Sequence, residues 1–194
     1  TVAAGVRAQR GGNATATPLV SGAPIPGLNS LTVADVDLRI ARDERDEPSQ
    51  VLMLQTSHSV LEKDIAARVA GWLLPVKNPD ARRQAQWERS RPSTPYPWSA
   101  PSEITPAVLA ASTALPLEYV PNEREHVELH SFRFKAEPGR FVYAKIGPEL
   151  KSFGGYLMPD AVDRVLTVPE FPKELRIAHT GSLLALSGKR KLTV

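Results

Sequence analysis

From Val127 onward the chain is a series of short runs in which apolar and polar residues alternate: Val127–Phe134, Phe141–Ile146, Ala161–Val168, Leu175–Ala178, Leu183–Leu186 and Arg190–Val194. A period of two sends successive side chains to opposite faces of an extended backbone, so each run predicts a strand with one face on a core. The stops between them are Glu137-Pro138-Gly139, Gly147-Pro148, Gly154-Gly155, Pro169-Glu170-Phe171-Pro172, Gly181 and Gly188-Lys189-Arg190. Turn residues at roughly 8–12-residue spacing predict an antiparallel sandwich or barrel rather than a doubly wound α/β sheet.

Upstream, Val36, Leu38 and Ile40 alternate with Asp35, Asp37 and Arg39, which predicts a strand with one wet face. Gln50–Gln55 is more continuously apolar and predicts a central strand covered on both sides, after a charged turn over residues 42–48. Ser59-Val60-Leu61-Glu62 has the form of a capping box, and Leu61, Ile65, Val69 and Trp72 follow at helical spacing. That predicts a helix over 60–72 laid on the sandwich, with a return to strand over Trp72–Val76. Residues 77–116 break the strand pattern with a Pro- and Arg-rich insertion, in which Thr105-Pro106 predicts the cap and first position of a short helix through Ala111. The strand register resumes near Leu117. The expected fold is an all-β, immunoglobulin-like antiparallel sandwich from about residue 31 to 170, with one helix and the 77–116 insertion. Residues 1–30 read as a possible strand, Val2–Arg7, and a connector from a preceding module. Residues 171–194 read as the first strands of a following module or as edge strands of the same one.

The chain has 194 residues, enough for one well-packed domain with pieces of its neighbours. Eighteen prolines and twelve glycines suit many short strands and loops better than a helical bundle. The absence of cysteine excludes disulfides, thiolate metal sites and thiol nucleophiles together. A net charge of +3, with cations and acids interspersed, does not indicate a nucleic-acid partner. No apolar run is long enough to span a membrane. A chain opening at Thr1 and closing at Val194 reads as an excised piece of a longer protein.

Candidate chemistry is sparse. His126, Glu128 and His130 share one face of a predicted strand, but their terminal Cα atoms stand about 13 Å apart, too far to close readily on one ion; a solvated strand face is the simpler reading. Leu186-Ser187-Gly188-Lys189 fails as a phosphate loop, because Gly181 is misplaced and Arg190 stands where Ser or Thr is required. There is no Gly-x-Ser-x-Gly elbow, and nothing beside His58, His126, His130 or His179 marks a general base. Catalysis, cofactor binding and metal binding are therefore not expected. The one hint of a partner site is the insertion, where Arg82, Arg83, Arg89 and Arg91 surround Trp87, with Trp98 following. Those tryptophans equally suit pinning a Pro-rich segment to the sandwich.

Several strings carry a resemblance. Glu137-Pro138-Gly139-Arg140-Phe141-Val142-Tyr143, Phe153-Gly154-Gly155-Tyr156, Val168-Pro169-Glu170-Phe171-Pro172-Lys173-Glu174-Leu175 and Gly181-Ser182-Leu183-Leu184-Ala185-Leu186-Ser187-Gly188 are similar to macroglobulin-type domains of large bacterial alpha-2-macroglobulins, in particular the longer MagD-type branch. Weaker similarity extends upstream through residues 43–52. The resemblance implies a structural module of a periplasmic protease inhibitor, its parent associated with the inner membrane, that traps proteases when a bait segment is cut. It implies as partners the flanking domains of the same parent, trapped proteases and other periplasmic proteins. The family's thioester pattern, Cys-x-Glu-Gln, is absent here. The other readings are a carbohydrate- or protein-binding adhesion module, which would need Trp87, Trp98, Tyr96 and Tyr143 to project from one face, and an enzyme joining Glu128 or His130 to a distant acid.

Overall fold

The computed structural model describes residues 2–7, 9–22, 27–42, 46–91 and 94–173. Much of the predicted turn at 42–48 and the predicted strands beyond Leu175 lie outside them. In chain order the elements are β1 (Val33–Arg42), β2 (Pro48–Leu61), α1 (Glu62–Ala66), β3 (Val69–Leu73), α2 (Ala81–Ser90), a 3-10 turn at Pro101–Glu103, α3 (Pro106–Ala110), β4 (Thr113–Leu115), β5 (Glu118–Val120), β6 (His126–Phe134), β7 (Phe141–Ile146), β8 (Leu150–Lys151), β9 (Leu157–Met158) and β10 (Val162–Thr167). Two four-stranded antiparallel sheets, in the orders β1-β2-β6-β5 and β10-β7-β3-β4, form an immunoglobulin-like sandwich, and β8 and β9 pair as a separate ribbon.

The registers explain the core. In the first sheet Leu38, Leu52 and Phe132 stand side by side across β1, β2 and β6, and all three are buried. In the second, Leu166, Val142 and Leu73 form the corresponding row and pack into the same core cluster. One residue along, Val165, Tyr143 and Trp72 form a row on the opposite face. That face is not wet. Leu74, Trp98, Val108 and Tyr143 make a second buried cluster, with Trp72, Tyr96, Ile104 and Leu109 packed around it. The segment between β3 and β4 thus covers the outside of the second sheet, which is why β7 buries Val142, Tyr143 and Ala144 in succession.

The helix expected over 60–72 is corrected to a single turn. The β2 strand runs on to Leu61, with Val60 opposite Val127 and Leu61 opposite His126, and the Ser59 carbonyl accepts from the Phe153 amide at 2.8 Å. No side chain caps α1. Pairing of Val60 and Leu61 with β6, with backbone bonds from the Phe153 amide to Ser59 and from the Glu62 amide to Glu125, engages this backbone in tertiary contacts that a local capping box does not supply, so the strand prevails. Ile65 nevertheless enters the core fully buried, while Val69 and Trp72 belong to β3. The strand expected over 72–76 accordingly starts earlier and ends at Leu73. Val2–Arg7 forms no strand; Val2 makes a single bridge to Leu19, in a stretch whose side chains are exposed and cannot offset the entropy of ordering. Beyond the expected short helix, α2 and α1 bring the helices among the described residues to three.

Among the described residues, turns fall at Pro138-Gly139 and Phe153-Gly154, where the sequence predicts them. Gly139 has φ +77° and donates its amide to the Val168 carbonyl at 2.9 Å, in the left-handed region where a Cβ is strained.

Candidate functional site

The arginine-rich segment after β3 starts with a capped helix. Asn78 Oδ1 accepts from the Asp80 amide at 2.9 Å, and Asp80 Oδ1 accepts in turn from the amides of Arg82 and Arg83 at 2.9 and 3.3 Å. Each contact satisfies a backbone donor that the helix itself cannot. No residue of α2 is fully buried. This helix was not foreseen, because it carries no apolar stripe. The legible signal was the cap, Asp80, followed by ten residues nearly all favourable to helix.

The chain then returns in extended form beneath the helix. Trp98 is 2% exposed and donates from Nε1 to the Pro75 carbonyl at 2.8 Å, so both its apolar body and its polar tip are accounted for. Its ring lies 4.7 Å from that of Tyr96, which meets Trp87 edge-on at 6.3 Å. Thr105 caps α3 by accepting from the Val108 amide at 3.3 Å, with Pro106 in the first turn as the sequence predicts.

Between α2 and the 3-10 turn lies an open groove of about 700 Å³, lined by Arg83, Trp87, Arg91, Tyr96, Pro97 and Glu103 among others. The Arg91 guanidinium carbon sits 5.3 Å from the centre of the Trp87 ring, a cation–π arrangement. Glu103 Oε2 accepts from the amides of Ser99 and Ala100 at 2.9 and 3.2 Å. Of the six residues singled out from the sequence, the fold brings Arg83, Trp87 and Arg91 into this groove. Arg82 and Arg89 are exposed on α2 outside its lining, and Trp98 is buried beneath it. Tyr96, named from the sequence only for an adhesion face, joins Trp87 in the groove, while Pro97 and Glu103 are contributions that sequence reading missed, since only the return of the chain places them opposite α2. The four aromatics that an adhesion module would display do not project together, because Trp98 and Tyr143 are both buried.

His126, Glu128 and His130 separate. His126 packs its ring against Phe153 at 4.8 Å, and Glu128 is exposed. His130 stands opposite Leu54 in the register and is completely buried. Its Nδ1 lies 3.1 Å from the Tyr119 hydroxyl, which accepts from Asn122 Nδ2 at 2.9 Å; its Nε2 has no hydrogen-bond partner. Burial holds the His130 pKa down at about 4, so the ring is neutral near pH 7. No group of three metal-ligating side chains converges among the described residues. Tyr143 donates to Asp163 Oδ2 at 2.9 Å, and burial, with that bond, pushes its phenol up to about 12. It is a structural tyrosine under the second cluster. No helix among the described residues is long and apolar enough to cross a membrane.

Comparison with known proteins gives a consistent answer. The chain is 31% identical over 170 residues to the alpha-2-macroglobulin homolog of Yersinia pestis, a match covering 88% of the chain and 8% of that relative. It is 27% identical over 184 residues to the alpha-2-macroglobulin of Pasteurella multocida, covering 95% of the chain and 9% of the relative. The alpha-2-macroglobulin of Rickettsia conorii matches at 27% over 171 residues, again 88% of the chain and 9% of the relative. No family model and no solved structure matches the chain. The chain thus spans 8–9% of the length of the curated relatives it matches, and similarity over nearly all of it to one segment of these proteins makes it an alpha-2-macroglobulin-family domain.

Proposed function

We propose that this chain is a structural domain of a periplasmic alpha-2-macroglobulin-like inhibitor that traps proteases, and that it is not itself an enzyme. The observation that carries the proposal is the extent of the match: 88–95% of the chain is similar to proteins named alpha-2-macroglobulin, of which it covers 8–9%. A domain of that share contributes packing surfaces and rigidity to a larger machine, and the two covered faces of its second sheet suit a rigid spacer. Without cysteine it holds no thioester of its own. The experiment compares two proteins. The isolated domain should neither slow a protease acting on a large protein substrate nor hydrolyse esters, glycosides or peptides. The full parent protein should protect large substrates while leaving the protease active on small peptides. Near-stoichiometric inhibition by the isolated domain, or a parent that never protects large substrates, would overturn the reading.

A further inference from the structure

We propose that the groove between α2 and the 3-10 turn is a docking site for an acidic, proline-bearing peptide segment of a partner protein; the inference does not depend on whether the parent traps proteases. The charge argument comes first. The α2 helix and its C-cap carry Arg82, Arg83, Arg89 and Arg91, against one acid, Glu88, which already meets Lys77 at 3.6 Å and Gln84 at 2.8 Å. Arg83 makes one ion pair among the described residues, with the capping carboxylate of Asp80 at 3.9 Å. Arg82, Arg89 and Arg91 make no ion pair among the described residues. Glu103, the acid that lines the groove, spends an oxygen on capping the 3-10 turn. The groove lining therefore presents Arg91 without an ion pair among the described residues, Arg83 with one long pair, and the still-charged Glu103; with Arg82 and Arg89 beside it on α2 the face is net positive, and a partner supplying carboxylates complements it.

The wall settles the shape of that partner. Trp87 and Tyr96 meet edge to face beside Pro97, forming an aromatic notch. Prolyl rings of an extended, polyproline-type chain pack on such surfaces, and that chain leaves its carbonyls free to accept from Gln86 and Ser102 on the rim. A lipid surface fits less well, because α2 has no apolar stripe to insert.

The test uses a fluorescein-labelled peptide of five Glu-Pro repeats with the whole chain, read by fluorescence anisotropy. Binding is expected at low salt and should weaken about fivefold or more at physiological salt. Arg83→Glu combined with Arg91→Glu should weaken it by about tenfold or more while the circular dichroism stays unchanged. Trp87→Ala should weaken binding and make it less selective for proline over a Glu-Gly peptide. Should the double reversal disturb folding, Arg83→Gln with Arg91→Gln supplies the same comparison with a smaller expected loss. The proposal fails if the Glu-Pro peptide does not bind, if a Lys-Pro peptide binds equally, or if the arginine variants leave binding unchanged. It also fails if maltohexaose, single-stranded DNA or anionic vesicles displace the peptide from the groove.

Discussion

At the level of single residues, His130 turns a sequence motif into a stability term. It occupies a core position opposite Leu54, and burial lowers its pKa from the ordinary 6.5 to about 4. Because the folded pKa lies below the unfolded one, unfolding takes up a proton as pH falls below 6.5, and stability present above that pH is lost progressively down to about pH 4. The whole effect amounts to about 3 kcal/mol at most. Urea titrations at pH 7.0, 5.5 and 4.5 should show this slope, and His130→Leu should flatten it; an unchanged slope in the variant assigns the loss to other groups. Ile65 carries a different expectation. Replacing a fully buried side chain by an aspartate strands a charge in the core, so Ile65→Asp should cost several kcal/mol and unfold much of the protein. Ser59→Ala, by contrast, should change stability by less than about 0.5 kcal/mol, because Ser59 lies within β2 and its side chain caps no helix. A loss near 1 kcal/mol for Ser59→Ala in chemical denaturation would restore the capped helix that the sequence predicts.

Among the elements, the segment from Lys77 to Leu115 behaves as a lid built in two steps. The α2 helix depends on its cap, since Asp80 satisfies two amides at its start, and Asp80→Ala should cost about 1 kcal/mol locally. Trp98 fastens the extended return to the second sheet through burial and its bond to Pro75, and Trp98→Ala should cost about 3–5 kcal/mol. These two anchors set the order of limited proteolysis. Trypsin should cut after Arg7 and Arg10 well before Arg82, Arg83 or Arg89, because a protease needs an extended, unfastened backbone and residues 9–22 are held by few contacts. Mass mapping of early fragments reads the order directly. Rapid cutting within α2 with Arg7 and Arg10 intact would make this segment the bait-like part of the chain. Trp98→Ala should shift the wild-type order towards α2.

For the molecule as a whole, two sheets share one core while a second cluster covers the outer face of β10-β7-β3. The two clusters meet through the same strands, with Val142 and Tyr143 adjacent in β7 and facing opposite ways. Unfolding followed by tryptophan fluorescence, to which Trp72, Trp87 and Trp98 all contribute, and by far-ultraviolet circular dichroism should therefore coincide in a single transition, since losing the lid exposes one face of the sheet that the core needs. Two separate transitions would show that the segment folds on the sandwich as an independent unit.

Much of this was written locally. The alternation in Phe141–Ile146 and Val127–Phe134, and the turn at Gly139, determined strands β6 and β7 and their boundary almost to the residue, because period and backbone permissiveness are properties of a few neighbouring residues. Thr105-Pro106 determined the start of α3 for the same reason. Local patterning could not decide between a helix over 60–72 and the continuation of β2, since the choice turned on hydrogen bonds to β6, more than sixty residues away. Nor could it show His130 inside, or Tyr96 and Glu103 facing Arg83 across a groove. Those depend on which strands lie side by side and on a segment folding back over the sheet, and only tertiary packing sets such distances.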